Sequence, residues 1–334
     1  MFIQRNFPNT RLRRLRRNTN LIDLASETNL TSNDLIQPIF IKENFDGSES
    51  IDSMPNIFRY GIDNALEEIE DIKKSGINAI AVFPVIDPAN KDSKGSQAVK
   101  SNNFISTSIM AIKKQFPDII LIADVALDPY TDHGHDGVIV NGKVDNDKTI
   151  QILKEQSIVL ANAGADIIAP SDMMDGRIGE IRWYLEANHN DLKDTIILSY
   201  AAKYNSKFYG PFRDAVGSSS NLGKSSKSSY QMSPKNKEEA LHEVAMDINE
   251  GADIVMVKPA MPYLDIIHSI KENFKIPTFA YQVSGEYSML KAAINKGWLE
   301  QDVMLESLIS IKRAGADAIL SYASKEISQE IQNK

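Results

Sequence analysis

The chain has 334 residues, 42% hydrophobic and 25% charged, enough to bury one large core or two ordinary ones. Its 37 basic residues against 45 acidic ones leave a formal net charge of −8, which disfavours nucleic acid and anionic membrane as partners, and no apolar run is long enough to cross a bilayer. With no cysteine anywhere, disulfides, thiolate nucleophiles and cysteine-ligated zinc or iron–sulfur sites are excluded, and a reducing cytosol fits.

The chain opens with MFIQRNFPNTRLRRLRRN, whose basic run from Arg11 to Arg17 is followed at once by Asp23, Glu27 and Asp34. No apolar signal core accompanies it, so residues 1–30 read as an extended N-terminal arm that packs on its own chain or another subunit, not as a targeting segment. The first strand expected is LIQPIF (35–40), and a helical pattern, NALEEIEDIKKS, follows. The strands SGINAIAVFP, DIILIAD (118–124), AGADIIAP, TIILSYA (195–201), EGADIVMVKP, IPTFAY (276–281) and AGADAILSYA then alternate with further helical patterns. Four of these segments repeat one junction, a helix-ending Gly, a short turn with Asp or Asn, and a short apolar strand. Eight strands alternating with eight helices predict an α/β chain folded as one (β/α)8 TIM barrel over 31–334. One stretch, AVGSSSNLGKSSKSSYQM, cannot build a packed core; it reads either as an inert insertion or as part of an active-site lid over about 213–233.

In such a barrel catalytic groups sit at the carboxyl ends of the strands, so position within a strand is a functional clue. Read that way, the ends carry Asp124, then Pro170 and Ser171, then Ser199 to Lys203, then Lys258, then Tyr281 and Ser284, and finally Ser321 and Tyr322. Lys258 closes the apolar run IVMV, and Lys203 ends the neighbouring strand. Partial burial beside a second cation disfavours an ammonium, lowers its pKa and leaves an amine able to attack a carbonyl. Arg213, Lys227 and Arg177 supply positive charge for an anionic substrate, with Gln231 as an amide donor. The stretch DVALDPYTDHGHDG gathers Asp124, Asp128, Asp132, His133, His135 and Asp136. These hard ligands suit magnesium, the His–Asp spacing also suits zinc, and pairing of the carboxylates with nearby lysines and arginines is the alternative.

The motifs APSDMMDGRIG, FYGPFRDA, YQMSP, MVKPAMPYLD and YQVSGEYSML, with RLRRLRRN, together resemble the porphobilinogen synthase (5-aminolevulinate dehydratase) family over nearly the whole chain. The resemblance implies a lyase of tetrapyrrole (heme and chlorophyll) biosynthesis that condenses two 5-aminolevulinate molecules to porphobilinogen, with loss of two waters. It implies that Lys258 forms a Schiff base with the substrate supplying the propionate side, and Lys203 with the acetate-side substrate. Arg213, Lys227 and Gln231 would hold the acetate-side carboxylate, Ser284 and Tyr322 the propionate-side one, Asp124 and Ser171 would contact substrate amino or hydroxyl groups, and Tyr281 would also bind substrate. Zinc-dependent members carry three cysteines where this chain has Ala126, Asp128 and Asp136, so it resembles the aspartate-rich, magnesium-responsive branch. That branch implies an allosteric Mg²⁺ at Glu243, a homo-octamer held partly by the N-terminal arm, and a cytoplasmic or plastid-stromal location. Two other readings compete from the residues alone. A Schiff-base aldolase of phosphorylated sugars needs a late Gly-rich phosphate loop, which neither VSGEYSM nor SYASKE provides. A nucleic-acid binder using the arginine-rich arm is opposed by the net acidity.

Overall fold

In the computed structural model, which describes residues 4–333 apart from 189 and 218–225, eight strands run parallel and close on one another. They are β1 (Leu35–Lys42), β4 (Ala79–Val85), β5 (Ile120–Val125), β8 (Ile167–Pro170), β9 (Ile196–Lys203), β10 (Ile254–Lys258), β11 (Thr278–Gln282) and β12 (Ala318–Ser321). Each pairs with the next in chain order, and β12 returns to β1 through Leu35↔Ile319 and Ile36↔Leu320. The (β/α)8 barrel expected from the alternating pattern is therefore the fold. Four short strands that the pattern did not announce lie outside it: β2 (Ser48–Ser50) and β3 (Phe58–Tyr60) extend the sheet from β1, and β6 (Ile139–Val140) with β7 (Lys143–Val144) forms a separate hairpin.

The strands form where Val, Ile and Ala runs are buried on both faces, the environment of a parallel sheet covered by helices. Helices present one apolar stripe to that sheet. Ala65, Ile69 and Ile72 do so on Ile62–Lys74, and Ile105, Ile109 and Ile112 on Phe104–Gln115. Side chains start these helices: Asn103 accepts from Ser106 N at 2.8 Å and Asp145 from Lys148 N at 3.0 Å.

The repeated Gly-Ala-Asp junction has a double purpose at the amino end of the barrel. Gly164, Gly251 and Gly315 take left-handed φ values of 105°, 107° and 118°, which end the preceding helix at little steric cost. Two residues on, each aspartate accepts from the first amides of the neighbouring strand: Asp166 from Leu121 N (2.8 Å), Asp253 from Ile197 N (2.8 Å) and Asp317 from Thr278 N (2.7 Å). Each also holds a cation from a nearby helix, respectively Lys113, Arg182 and Lys271. One carboxylate thus ties two strands and a helix at the face remote from the strand ends.

The arm carries a short 3₁₀ turn at Leu12–Arg16 and a helix at Thr19–Leu24 capped by Asn18, with no buried residue in either. Phe7, Leu12, Leu15, Ile22 and Leu24 are exposed on it.

Asp253→Ala is expected to cost about 1–3 kcal/mol by orphaning the buried Ile197 amide, read by urea denaturation, while the specific activity of the folded fraction stays unchanged.

Candidate active site

Adjacent strands β9 and β10 begin their pairing as Ile254↔Leu198 and Val255↔Ser199, then shift by one residue to Val257↔Ala202 and Lys258↔Lys203. The shift decides the site. Side chains alternate faces along a strand, so without it Lys258 would pair with Ala202 and Lys203 would point to the other side. With it, the two lysines are direct neighbours at the carboxyl end of the barrel, and both are buried.

Their surroundings differ. Lys203 Nζ donates a short hydrogen bond to the Ser171 carbonyl at the end of β8. Lys258 Nζ instead lies among ring faces, 4.3 Å from the Tyr281 centroid, 5.1 Å from Tyr200 and from Phe212, and 5.5 Å from Tyr209. Burial and then the charge of Lys203 push the Lys258 amine down to about 7, against the opposing pull of Asp124. Asp124, at the end of β5, moves the other way: burial and the charge of Asp128 raise it to about 6, although Lys258 and Lys203 favour its ionised form. Near neutral pH this corner therefore holds one amine and one carboxyl that can each change protonation state.

The remaining polar groups close the site from above. Lys227 Nζ sits between Asp128 Oδ2 at 3.1 Å and Asp136 Oδ1 at 3.0 Å. Burial opposes every charge in this trio. The two carboxylates outweigh it and raise the Lys227 pKa, while Lys227 and Lys203 bring Asp136 down to about 2. The covering segment is fastened to the lysine strand itself: Met232 N donates to Lys203 O at 3.2 Å and Asn205 N to Met232 O at 2.8 Å. Tyr230 OH lies 3.1 Å from His135 Nδ1 and joins the same segment to the loop after β5. Asp128, Lys203, Tyr209, Phe212, Arg213, Lys227, Gln231 and Lys258 line a cavity of about 30 Å³. That leaves room for no more than a few waters, so substrate entry requires the cover to move. The central part of the expected 213–233 lid, including Lys224, lies outside the described residues.

The other expected site residues are distributed as follows. Arg213, on helix Gly210–Ala215, lines the cavity, and Gln231 has a buried Oε1 without a hydrogen-bond partner. Ser284 Oγ accepts from Phe212 N at 2.9 Å, and Tyr322 OH lies 2.7 Å from Tyr281 OH. Ser171 is buried beside Lys203 and Asp124. One expectation changes. Arg177 is not near the cover; its buried guanidinium meets Asp247 at 3.3 Å, Ser199 Oγ at 3.1 Å and Asp172 at 3.5 Å. Asp128 and Asp136 flank Lys227, the pairing with a lysine that the sequence offers as the alternative to a metal, and among the described residues no three metal-binding side chains converge. Lys227, expected on a substrate carboxylate, is paired here with Asp128 and Asp136. The aromatic wall of Tyr200, Tyr209 and Phe212 was not anticipated; the nearest sequence signal was the aromatic content of FYGPF.

Glu243 lies apart, half-buried on helix Glu238–Glu250, and opens on a separate cavity of about 850 Å³ with Asp175, Glu239 and Asn146. Burial raises its pKa, and Asp247 and Asp175 add to the effect while Arg177 opposes it.

A parallel barrel with paired buried amines at the carboxyl ends of its strands belongs to the class of enzymes built to capture carbonyl compounds covalently. The chain belongs to the delta-aminolevulinic acid dehydratase family, whose family model matches residues 9–330. A delta-aminolevulinic acid dehydratase of Methanothermus sociabilis is 50% identical over 325 residues, covering 97% of this chain and 99% of that protein. One from Rhodobacter capsulatus is 51% identical over 317 residues, covering 95% of each chain. The crystal structure of delta-aminolevulinic acid dehydratase (porphobilinogen synthase) from Toxoplasma gondii ME49, in complex with the reaction product porphobilinogen, is 44% identical. It covers 97% of this chain and 92% of its own, with a TM-score of 0.94.

Borohydride trapping of a ketone on Lys258 is expected to rise with pH through about 7 and level off above, because only the unprotonated amine attacks. Lys203→Met removes a neighbouring charge and should move that midpoint upward, as followed by mass mapping of the Lys258 peptide.

Proposed function

We propose that this chain is a porphobilinogen synthase in which Lys203 and Lys258 each capture one 5-aminolevulinate, and that Lys258↔Lys203 pairing at one end of the barrel is the observation carrying this reading. Each amine attacks a ketone carbon and expels its oxygen as water, which accounts for both waters lost. A protonated imine is an electron sink, so the carbon beside the Lys203-held imine becomes acidic and the Lys258-held imine carbon becomes electrophilic. The carbon–carbon bond joins these two atoms. The amino group of the Lys258-held substrate displaces Lys203 in forming the ring nitrogen bond, and elimination returns the Lys258 amine. No order is implied between the two bond-forming steps.

Holding both substrates converts a bimolecular condensation into an effectively unimolecular one. In this reading Ser284 and Tyr322 hold the carboxylate of the Lys258-bound substrate, with Tyr281 fixing the Tyr322 hydroxyl. Arg213 and Gln231 hold the carboxylate of the Lys203-bound one, and Lys227 exchanges its aspartate partners for that carboxylate when substrate enters. Asp124 and Ser171 contact substrate amino or hydroxyl groups and move a proton, for which a carboxyl near 6 is suited. The aromatic wall excludes water from the imines.

Members of this family are metal-dependent in general. Magnesium here is proposed at Glu243: it binds through one or two carboxylates and keeps several waters, and a half-buried glutamate opening on a roomy acidic cavity offers that donor set. The exposed apolar side chains of the arm support its proposed role as a contact between copies in a homo-octamer, with residues 31–334 as the catalytic domain. No described helix is long and apolar enough to span a membrane; a cytoplasmic or plastid location is the corresponding proposal.

Lys258→Met and Lys203→Met are each expected to lower porphobilinogen formation from 5-aminolevulinate on the order of 10⁴-fold or more, as for removal of a covalent nucleophile. Retention of a tenth of the activity in either variant would overturn the two-imine reading. Glu243→Ala is expected to weaken magnesium stimulation and shift the assembly toward smaller species; an unchanged, still magnesium-responsive octamer by native mass analysis would refute that role.

A further inference from the structure

Helix Ser284–Asn295 begins where β11 ends, and its first turn carries a carboxylate with no access to water. Glu286 accepts from Val283 N at 2.6 Å, reaching back across its own first turn. The same carboxylate accepts from Met261 N at 2.6 Å and Ala260 N at 3.3 Å, the amides that follow Lys258 and Pro259 after β10. Met261 opens the 3₁₀ turn Met261–Tyr263 that runs into helix Leu264–Phe274, so its N–H has no partner within that helix. One side chain therefore serves the starts of two neighbouring helices.

The groups it joins are those whose spacing matters. On one side is the loop leaving Lys258; on the other is the turn that presents Ser284. Ser284 in turn accepts from Phe212 N, and the helix start presses on Phe208, where a Cβ added at Gly285 would lie 2.4 Å from the Phe208 carbonyl oxygen. The segments leaving β9, β10 and β11 thus meet at the first turn of this helix. Burial raises Glu286 to about 7 and the three amides oppose that rise, so the bonds themselves favour the ionised form.

We propose that Glu286 is a positioning residue that sets the distance between the Lys258 amine and the Ser284 hydroxyl, matching it to the separation of ketone and carboxylate in a 4-oxo acid. This rests on the assignment of Ser284 and Lys258 to one substrate made above. A capturing amine displaced by about 1 Å from a held substrate loses on the order of 10²-fold in rate. A small ketone with nothing to anchor it loses far less.

The test compares borohydride trapping on Lys258, mapped by mass spectrometry, for 4-oxopentanoate and for 2-pentanone, which has a methyl group in place of the carboxylate. In the unaltered enzyme the oxo acid is expected to be captured at least tenfold faster. Glu286→Gln keeps the shape and removes the charge. It is expected to slow capture of the oxo acid 30-fold or more while leaving 2-pentanone within threefold. Equal slowing of both ketones, as a loosened fold would give, or no slowing of either, overturns the proposal. Should Glu286→Gln not fold, Glu286→Asp, one methylene shorter, is subjected to the same comparison with the same criterion. If the unaltered enzyme shows no preference for the oxo acid, the assignment of Ser284 itself is what fails, and this proposal falls with it.

Discussion

Two amines held side by side in a dry cavity are the constraint around which the rest of this structure is arranged. Strand pairing sets the two lysines side by side, and the charge of Lys203 disfavours an ammonium at Lys258. One of the pair has to be relieved. The surroundings divide the burden unevenly, since Lys203 keeps a carbonyl partner at Ser171 while Lys258 is left among aromatic faces with its pKa near 7. Proximity alone did not produce this. A one-residue register shift between β9 and β10 turns both side chains to the same face.

Cations in this cavity come in two kinds, and their partners separate them. Lys227 is buried as deeply as Lys258, yet Asp128 and Asp136 on either side hold it firmly as an ammonium ion. Arg177 is likewise committed to Asp247 and Ser199, which bind a helix to β9 behind the site. A charge matched by carboxylates is structural until something displaces it, whereas an amine matched by rings and carbonyls is available for chemistry. The aspartates after β5 thus act within this chain as counter-ions to its cover.

The two ends of the barrel solve different problems. At the amino end the repeated aspartates spend their charge on strand amides and helix cations, which ties β5 to β8, β9 to β10 and β11 to β12. At the carboxyl end, loops from β5, β9, β10 and β11 converge, and buried polar atoms such as Gln231 Oε1 and Asp136 Oδ2 remain without partners. Unsatisfied groups are tolerated where a ligand can satisfy them.

Much of the architecture was readable in the chain, because fully buried parallel strands are apolar runs and their junctions repeat Gly and Asp at fixed spacing. Those patterns are local, and so barrel closure, both lysine positions and the basic exposed arm could be read without coordinates. The short pairings of β2 with β3 and β6 with β7 carry too few residues to show a period. What only the folded chain decided is pairing across long sequence separations: the register that aligns Lys203 with Lys258, the seat of Lys227 between Asp128 and Asp136, and the withdrawal of Arg177 from the cavity. Composition dictates which residues seek burial, but the partner that neutralises a buried charge is chosen by geometry, and geometry exists only once the helices and strands have packed.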